Sequence, residues 1–226
     1  ALAANTSASA FSETHLAALA TKLRRSEQLG EVLETASLAQ PWGTDSLSKE
    51  FQKVAKIMAQ RGTLGTERDA FYVDFTGFDT HSTLDDLPDL FAQMDAALRA
   101  FVAELRGMGL WDSVALVSAS DFGRTLRSNG RGTDHGWGGN YFLAGGGLNG
   151  GKVLGHYPSA TQLFEGGGLE VGQGRLIPTT SWEQVWQPLT QWMGVEDPAR
   201  LATVLPNLPA FEPHDPRLAP EEVFHP

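Results

Sequence analysis

The spacing of apolar residues predicts helices in the first part of the chain. Residues 12–62 have helical spacing, and Ser12 is the expected cap of a first helix. A second helix, with Asp45 or Ser46 as its cap, is predicted by one apolar stripe: Leu47, Phe51, Val54, Ala55 and Met58. The sequence Pro41-Trp42-Gly43 is expected to separate the two helices, because proline and glycine interrupt helical structure.

From Ala70 onward the pattern changes to short apolar runs that are typical of strands. Residues 71–75 and 113–118 form two such runs, and apolar residues at helical spacing from Leu87 to Leu105 predict a helix between them. A strand–helix–strand order is typical of a βαβ unit, in which the two strands are parallel. The pattern therefore predicts an α/β fold built on a parallel sheet.

Two further elements are predicted in the glycine-rich remainder of the chain. Residues 141–144 are expected to form a short strand, and residues 181–193 a helix capped by Thr180 or Ser181. We divide the chain into three parts, which are a helical N-terminal segment over residues 1–62, an α/β core over residues 63–212, and an extended tail over residues 213–226.

The composition excludes several classes of partner and ligand. The 226 residues carry a formal net charge of −10 and include no cysteine. Nucleic acid and anionic lipid both bind basic surfaces, and without cysteine a metal must be held by oxygen and imidazole. No stretch reaches the roughly 18–20 apolar residues that a membrane-spanning helix needs. We therefore expect no nucleic-acid partner and no membrane span.

Acidic residues and histidines follow both predicted strands. Asp79 and His81 come after the first strand, and Asp121 comes after the second. Asp134 and His135 follow within a glycine-rich segment. Because functional groups gather at the carboxyl ends of parallel strands, these side chains are expected to converge on one edge of the sheet. Carboxylate mixed with imidazole suits zinc, manganese or iron, so the sequence predicts one or two such divalent ions here.

Each of these residues also has an ordinary structural interpretation. Asp79 is compatible with a local turn or helix cap, and Asp121 with a turn or an ion pair to Arg124. Arg124 is either an anion clamp, because its planar guanidinium matches phosphate and sulfate, or the partner of Asp121. His156 could reach the site, and Trp137 could form a pocket wall.

The same residues carry a family resemblance. Several motifs, in this order, resemble those of the domain-of-unknown-function 1501 family: Gly77-Phe78-Asp79-Thr80-His81, Ser120-Asp121-Phe122-Gly123-Arg124-Thr125, Gly132-Thr133-Asp134-His135-Gly136, and residues 150–152, 155–158 and 174–180. That family is sulfatase-like and belongs to the alkaline phosphatase superfamily. The resemblance therefore implies the C-terminal portion of a metal-dependent hydrolase of phosphate or sulfate esters.

The resemblance also implies a fold and a set of metal ligands. The implied fold is an α/β, parallel-sheet βαβ sandwich of the alkaline phosphatase-like type, incomplete at its N-terminal side. By the order of the motifs, Asp79, His81 and His135 are implied as ligands of one metal. Asp121 is implied as a ligand of a second metal, and Asp134 as a further participant.

The chain departs from the family pattern at the second metal and at the nucleophile. The family usually has Glu at the position of Asp121 and often Gln at that of Leu84. The superfamily places a further strand, a metal-binding acid and a Ser or Thr nucleophile upstream, where this chain is predicted to be helical. Nothing marks the hydroxyls of Ser118, Ser120 or Thr125 as activated nucleophiles. We therefore expect either the back half of a longer precursor or a reduced relative that cannot turn over.

Two functions follow from these expectations. The first is a metal-dependent hydrolase that acts on a small anionic ester, with a second chain or an N-terminal fragment completing its fold. The second is a non-catalytic binding or structural subunit that retains the fold without the nucleophile. Because the family that this chain resembles is commonly exported, an extracytoplasmic location is expected.

Overall fold

The computed structural model of the protein describes residues 9–164, 166–211 and 218–225. The α-helices in these residues are α1 (Ala10–Thr35), α2 (Ser46–Ala59), α3 (Arg61–Leu64), α4 (Leu87–Gly107), α5 (Trp182–Trp192), α6 (Pro198–Val204), α7 (Leu208–Phe211) and α8 (Pro220–Val223). The strands are β1 (Leu116–Val117), β2 (Gly123–Ser128), β3 (Thr133–Gly136) and β4 (Leu143–Ala144). In the described part of the chain, no helix combines the length and the apolar composition that a membrane span requires.

The chain separates into two compact units. The first unit comprises the described residues up to Phe75 together with Ala92–Met108, and the second comprises Thr76–Phe91 together with the described residues from Gly109 onward. The boundaries at residues 62 and 212 stay a prediction. Residues 1–8 of the predicted N-terminal segment, and residues 213–217 and 226 of the predicted tail, lie outside the described residues.

The first unit is a helical assembly with an apolar core and one buried carboxylate. The rings of Phe51 in α2 and Phe101 in α4 pack with their centroids 4.8 Å apart. Glu104 of α4 is only 4% exposed, and its carboxylate accepts hydrogen bonds from the backbone N–H groups of Ala39 and Gln40 at 2.8–3.0 Å. A buried carboxylate satisfied by backbone donors fixes the segment between α1 and α2 onto α4.

The second unit has its own core and two small sheets. Its buried apolar cluster consists of Leu148, Leu189, Leu218, Val223 and Phe224. β1 pairs antiparallel with β4, and β2 pairs antiparallel with β3. β2 and β3 form a hairpin, and its register places Arg124 opposite His135.

The predicted parallel-sheet βαβ sandwich is wrong. Among the described residues, the only sheets are the two antiparallel pairs, and residues 71–75 form no strand, with Tyr72 91% exposed. Aromatic and β-branched residues favour strands only where a neighbouring strand accepts their hydrogen bonds and covers their side chains. Residues 71–75 lack that neighbour here, while the predicted strand at 113–118 shortens to β1 and pairs with β4 in the opposite direction.

Most of the helix predictions are confirmed, because apolar spacing and capping residues act over a few neighbouring positions. α2, α4 and α5 follow the predicted apolar stripes, and the caps are Asp45, which accepts from the Ser48 N–H, and Ser181, which begins a capping box. The predicted cap at Ser12 is wrong, because α1 already begins at Ala10 with Ser9 at its N-cap. The predicted strand at 141–144 is confirmed over the two residues of β4.

Candidate metal centre

The loop before α4 places Asp79 and His81 next to each other in space. Gly77 has a φ of +110°, a conformation that favours glycine, and a Cβ there would lie 3.1 Å from Leu90. The backbone turns sharply after it, since the Thr80 N–H donates to the Phe78 carbonyl at 3.0 Å. The loop then joins the hairpin, because the Thr133 N–H donates to the Thr80 carbonyl at 3.2 Å.

The β2–β3 hairpin supplies the other charged side chains of the site. Its turn contains Asn129 and Gly130, and the Asn129 Oδ1 accepts from the Gly132 N–H at 2.8 Å. Gly130 has a φ of +98°, a conformation that favours glycine. Gly132 lies against the loop, and a Cβ there would come within 2.7 Å of the carbonyl group of His81. The absence of a side chain at Gly132 therefore lets the hairpin approach the loop.

Three potential ligand atoms meet where the loop and hairpin join. Asp79, His81 and His135 each offer one atom, and the three atoms lie within 4.8 Å of one another. The Nε2 atoms of both histidines lie 2.9 Å from the same oxygen, Asp79 Oδ1. Two donors each about 2.0–2.1 Å from one ion are roughly 3 Å apart, so these separations fit a shared divalent cation.

The environment of Asp79 favours its ionised form. Arg124 Nη2 donates to Asp79 Oδ1 at 3.1 Å, so this one oxygen has three cationic or donor neighbours. The hydrogen bond from His135 is the largest influence, and His81 and Arg124 add to it, so the pKa of Asp79 is held below its usual value. An ionised carboxylate is the form that binds a cation.

Arg124 joins the loop before α4 to the hairpin through hydrogen bonds. Its Nη1 donates to the Thr133 carbonyl at 2.7 Å, and its Nη2 donates to the Phe78 carbonyl at 2.6 Å. Its predicted alternative partner was Asp121, but the ion pair is made with Asp79 instead. Arg124 therefore fixes the position of Asp79 and brings a positive charge to the site; its role as an anion clamp stays a prediction.

The ring of Phe122 stacks on the imidazole of His135. The two rings stack with centroids 3.9 Å apart and an angle of 6° between their planes. The guanidinium carbon of Arg124 lies 4.7 Å from the Phe122 centroid. Because a stacked ring restricts rotation of the imidazole, Phe122 helps to aim His135 Nε2 at Asp79.

The second ring nitrogen of His81 has a different partner. His81 Nδ1 lies 3.4 Å from Asp134 Oδ1, and that oxygen also accepts from Asn129 Nδ2 at 2.9 Å. The hydrogen bond from Asn129 and then that with His81 hold the pKa of Asp134 below its usual value, and the charge of Arg175 has the same effect. Asp134 is thus a carboxylate beside the centre and outside the three-atom group.

The structure separates the predicted site residues into two sets. Asp79, His81 and His135 come together, and Asp134 touches this group through His81. Asp121 lies exposed in the bend before β2 and is not part of the group. Convergence of Asp121 with the other residues was expected at the edge of a parallel sheet, which the described residues do not form; its role as the ligand of a second metal stays a prediction.

Two contributors to the site were missed in the sequence. Asn129 accepts a hydrogen bond within the hairpin turn and donates one to the Asp134 carboxylate. Phe122 stacks on His135. The dipeptide Asn129-Gly130 is a strong hairpin signal, and it would have predicted the turn. No local pattern signals the stacking of Phe122, because its partner lies on the other strand of the hairpin.

The hydroxyl groups near the site are engaged in structural hydrogen bonds. Ser118 Oγ donates to the Phe142 carbonyl at 3.2 Å and accepts from the Phe142 N–H at 2.8 Å. Thr125 Oγ1 donates to the Arg127 carbonyl at 2.8 Å and accepts from the Asp134 N–H at 3.2 Å. These bonds position β4 and the hairpin, and neither hydroxyl faces a base that would activate it.

Comparison with known proteins places the chain in one family. A family model described as a protein of unknown function, DUF1501, matches residues 4–167, a span that contains Asp79, His81, Asp134 and His135. No curated protein and no solved structure is significantly similar to the chain. Because the matched span covers well over half of the sequence, the chain belongs to the DUF1501 family.

Proposed function

We propose that the protein binds a divalent transition metal through Asp79, His81 and His135 and uses it to hydrolyse phosphate or sulfate esters. The observation that carries the proposal is the convergence of two imidazole Nε2 atoms, each at 2.9 Å, on one carboxylate oxygen. Two imidazoles and one carboxylate form a ligand set that suits zinc, iron or manganese. A site with three protein ligands leaves coordination positions open, as in metal centres that act on substrates.

A metal held there would supply Lewis-acid activation of water and of an ester oxygen. The residues around it supply access and charge. The Asp79, His81 and His135 side chains are 60%, 43% and 47% exposed, so a small ester can reach the centre from solvent. The guanidinium of Arg124 lies beside Asp79 and favours an anionic substrate.

The motif resemblance to the alkaline phosphatase superfamily supports this choice of reaction. Members of that superfamily act on phosphate or sulfate esters at metal sites built from the same residue types. Ser118 and Thr125 are committed to structural hydrogen bonds, and Ser120 Oγ accepts from the Phe122 N–H at 3.5 Å, so the reaction proposed here uses water directly as the nucleophile. An extracytoplasmic location is proposed on the same resemblance.

A hydrolysis assay tests the proposal. The purified chain is incubated with an aryl phosphate and an aryl sulfate in the presence of zinc, manganese or iron. Asp79→Asn serves as the inactive variant, and Asp86→Asn, an exposed acid before α4, serves as its matched control. Metal-dependent turnover that Asp79→Asn loses and Asp86→Asn keeps supports the proposal. Turnover that is equal in all three proteins contradicts it.

A second function is favoured by a different observation. Residues 71–75 form no strand, and Tyr72 is 91% exposed, which is unusual for an aromatic residue in an apolar run. We propose as the alternative a non-catalytic binding or structural subunit that uses these exposed residues to contact a partner chain. Size measurement under native conditions distinguishes the two functions, because a monodisperse, catalytically active monomer excludes the subunit function.

A further inference from the structure

We propose that Asp134 is a positioning residue for the metal ligand His81 and not a metal ligand itself. This inference rests on the metal site in the proposed function and adds to it the group that orients one of its ligands. The family resemblance implies His135 as a metal ligand and Asp134 as a further participant, and the structure gives the two residues different partners.

The two ring nitrogens of His81 face two different carboxylates. Nε2 lies 2.9 Å from Asp79 Oδ1, and Nδ1 lies 3.4 Å from Asp134 Oδ1. The two nitrogens of an imidazole point away from opposite sides of the ring. An ion bound at Nε2 therefore lies on the side away from Asp134, which excludes Asp134 from the same coordination shell as Asp79.

Metal binding decides where the ring proton of His81 must be. An ion at Nε2 takes the lone pair of that nitrogen, so the neutral imidazole carries its proton on Nδ1. The Nδ1–H then donates to Asp134, forming the carboxylate–histidine–metal arrangement that fixes the tautomer and the orientation of a ligand. Asp134 thereby also increases the electron density that His81 offers to the metal.

Asp134 is itself held in place from two sides. Asn129 Nδ2 donates to the same Oδ1 at 2.9 Å, and it also donates to the His81 carbonyl at 3.1 Å. The Asp134 N–H donates to Thr125 Oγ1 at 3.2 Å. Asn129 therefore ties together the backbone of His81 and the carboxylate that faces its ring, as a group that supports a metal ligand must do.

Nuclear magnetic resonance of the zinc-loaded full chain tests the inference. Long-range nitrogen–proton spectra of the imidazoles are recorded for the wild type and for Asp134→Ala and Asp134→Asn, and zinc affinity is measured by competition with a chelating dye. The expected wild-type spectrum has the His81 proton on Nδ1 and zinc on Nε2. Asp134→Ala is expected to lower zinc affinity by about 10- to 100-fold without loss of a coordinating oxygen in X-ray absorption spectra.

Asp134→Asn distinguishes orientation from folding. Its amide oxygen can still accept from His81 Nδ1–H, so this variant is expected to keep the Nδ1 tautomer and recover part of the affinity. Loss of a coordinating oxygen in Asp134→Ala, or a His81 proton on Nε2 with zinc on Nδ1, overturns the inference. A wild-type protein that binds no zinc overturns it together with the proposed function. A wild-type protein that binds zinc in the expected way but hydrolyses no ester contradicts only the hydrolase.

Discussion

Asp79 Oδ1 and His135 Nε2 lie 2.9 Å apart although 56 positions of sequence separate the two residues. Asp79 comes from the loop before α4, and His135 comes from β3 of the hairpin. The centre therefore exists only while the loop and the hairpin are joined. A substitution that moves the loop away from the hairpin should therefore reduce metal binding, even when the substituted residue is not a metal ligand.

Replacement of Gly132 by alanine tests the join between the loop and the hairpin. An added Cβ would clash with the Thr80 carbonyl oxygen and lie 2.7 Å from the carbonyl carbon and oxygen of His81, so the backbone of the loop must move. We expect the variant to lose about 1–3 kcal/mol of stability and to bind zinc more weakly. Thermal unfolding and zinc titration measure the two effects.

Gly150→Ala is the matched control for Gly132→Ala. A Cβ at Gly150 has no atom within 4 Å, and the residue has no positive φ. Unchanged or slightly increased stability is expected for it, because alanine restricts the unfolded chain. Equal zinc affinity in Gly132→Ala, Gly150→Ala and the wild type would show that the close approach to His81 has no effect on the centre.

The β2–β3 hairpin is not predictable from an apolar pattern. Its strands, residues 123–128 and 133–136, are polar and charged, so they lack the alternating apolar pattern by which strands are recognised. The Asn129-Gly130 turn was the usable signal. In a two-strand hairpin Arg124 pairs antiparallel with His135. This pairing brings the arginine that binds Asp79 next to the potential metal ligand His135.

Removal of the ring beside His135 is expected to weaken metal binding modestly. Phe122→Leu keeps an apolar side chain but loses the stack at 3.9 Å. Aromatic pairs contribute about 0.5–1.5 kcal/mol, so zinc affinity should fall roughly two- to tenfold. Phe164→Leu, at a ring that is 70% exposed, is the control. Calorimetric titration with zinc measures both, and an equal affinity for the two variants contradicts the support assigned to Phe122.

The buried carboxylate of the first unit is expected to stabilise that unit. Glu104→Ala leaves the N–H groups of Ala39 and Gln40 without the acceptor that they now share. Hydrogen bonds to a charged group contribute about 1.5–3 kcal/mol each, so a loss of at least that size is expected in denaturant unfolding. Glu104→Gln keeps one acceptor oxygen and should lose less. The exposed Glu34→Ala is the control, and a similar small loss in both alanine variants would contradict this role of Glu104.

The helices and their caps were predictable, whereas strand pairing was not. The stripe of α2 and the caps Asp45 and Ser181 depend on residues within a few positions of each other. The strand predicted at residues 71–75 depends on a partner far along the chain, and in the described residues that partner is absent. Sequence alone could therefore predict that Asp79 and His81 follow an apolar run, but not that they meet His135 through a hairpin.

Acidification is expected to release the metal at a higher pH than that at which it protonates Asp79. The lowered pKa of Asp79 keeps its carboxylate charged well below neutral pH, and its contribution to stability is present above the ordinary value of about 3.9 and lost as the pH falls through its lowered folded value. Protons compete with a metal for imidazole ligands at higher pH. Zinc affinity should therefore fall between about pH 7 and pH 5, and a constant affinity across that range would contradict histidine ligation.

Metal binding by Asp79, His81 and His135 is tested by the metal content of the purified protein. The chain is purified without chelators, dialysed against zinc, manganese and iron in turn, and analysed by elemental mass spectrometry. A variant with Asp79→Asn, His81→Gln and His135→Gln is treated identically, and circular dichroism shows whether its helices are retained. We expect one tightly bound ion per chain in the wild type and none in the folded triple variant. An absence of metal in the wild type, or equal content in both proteins, would contradict it.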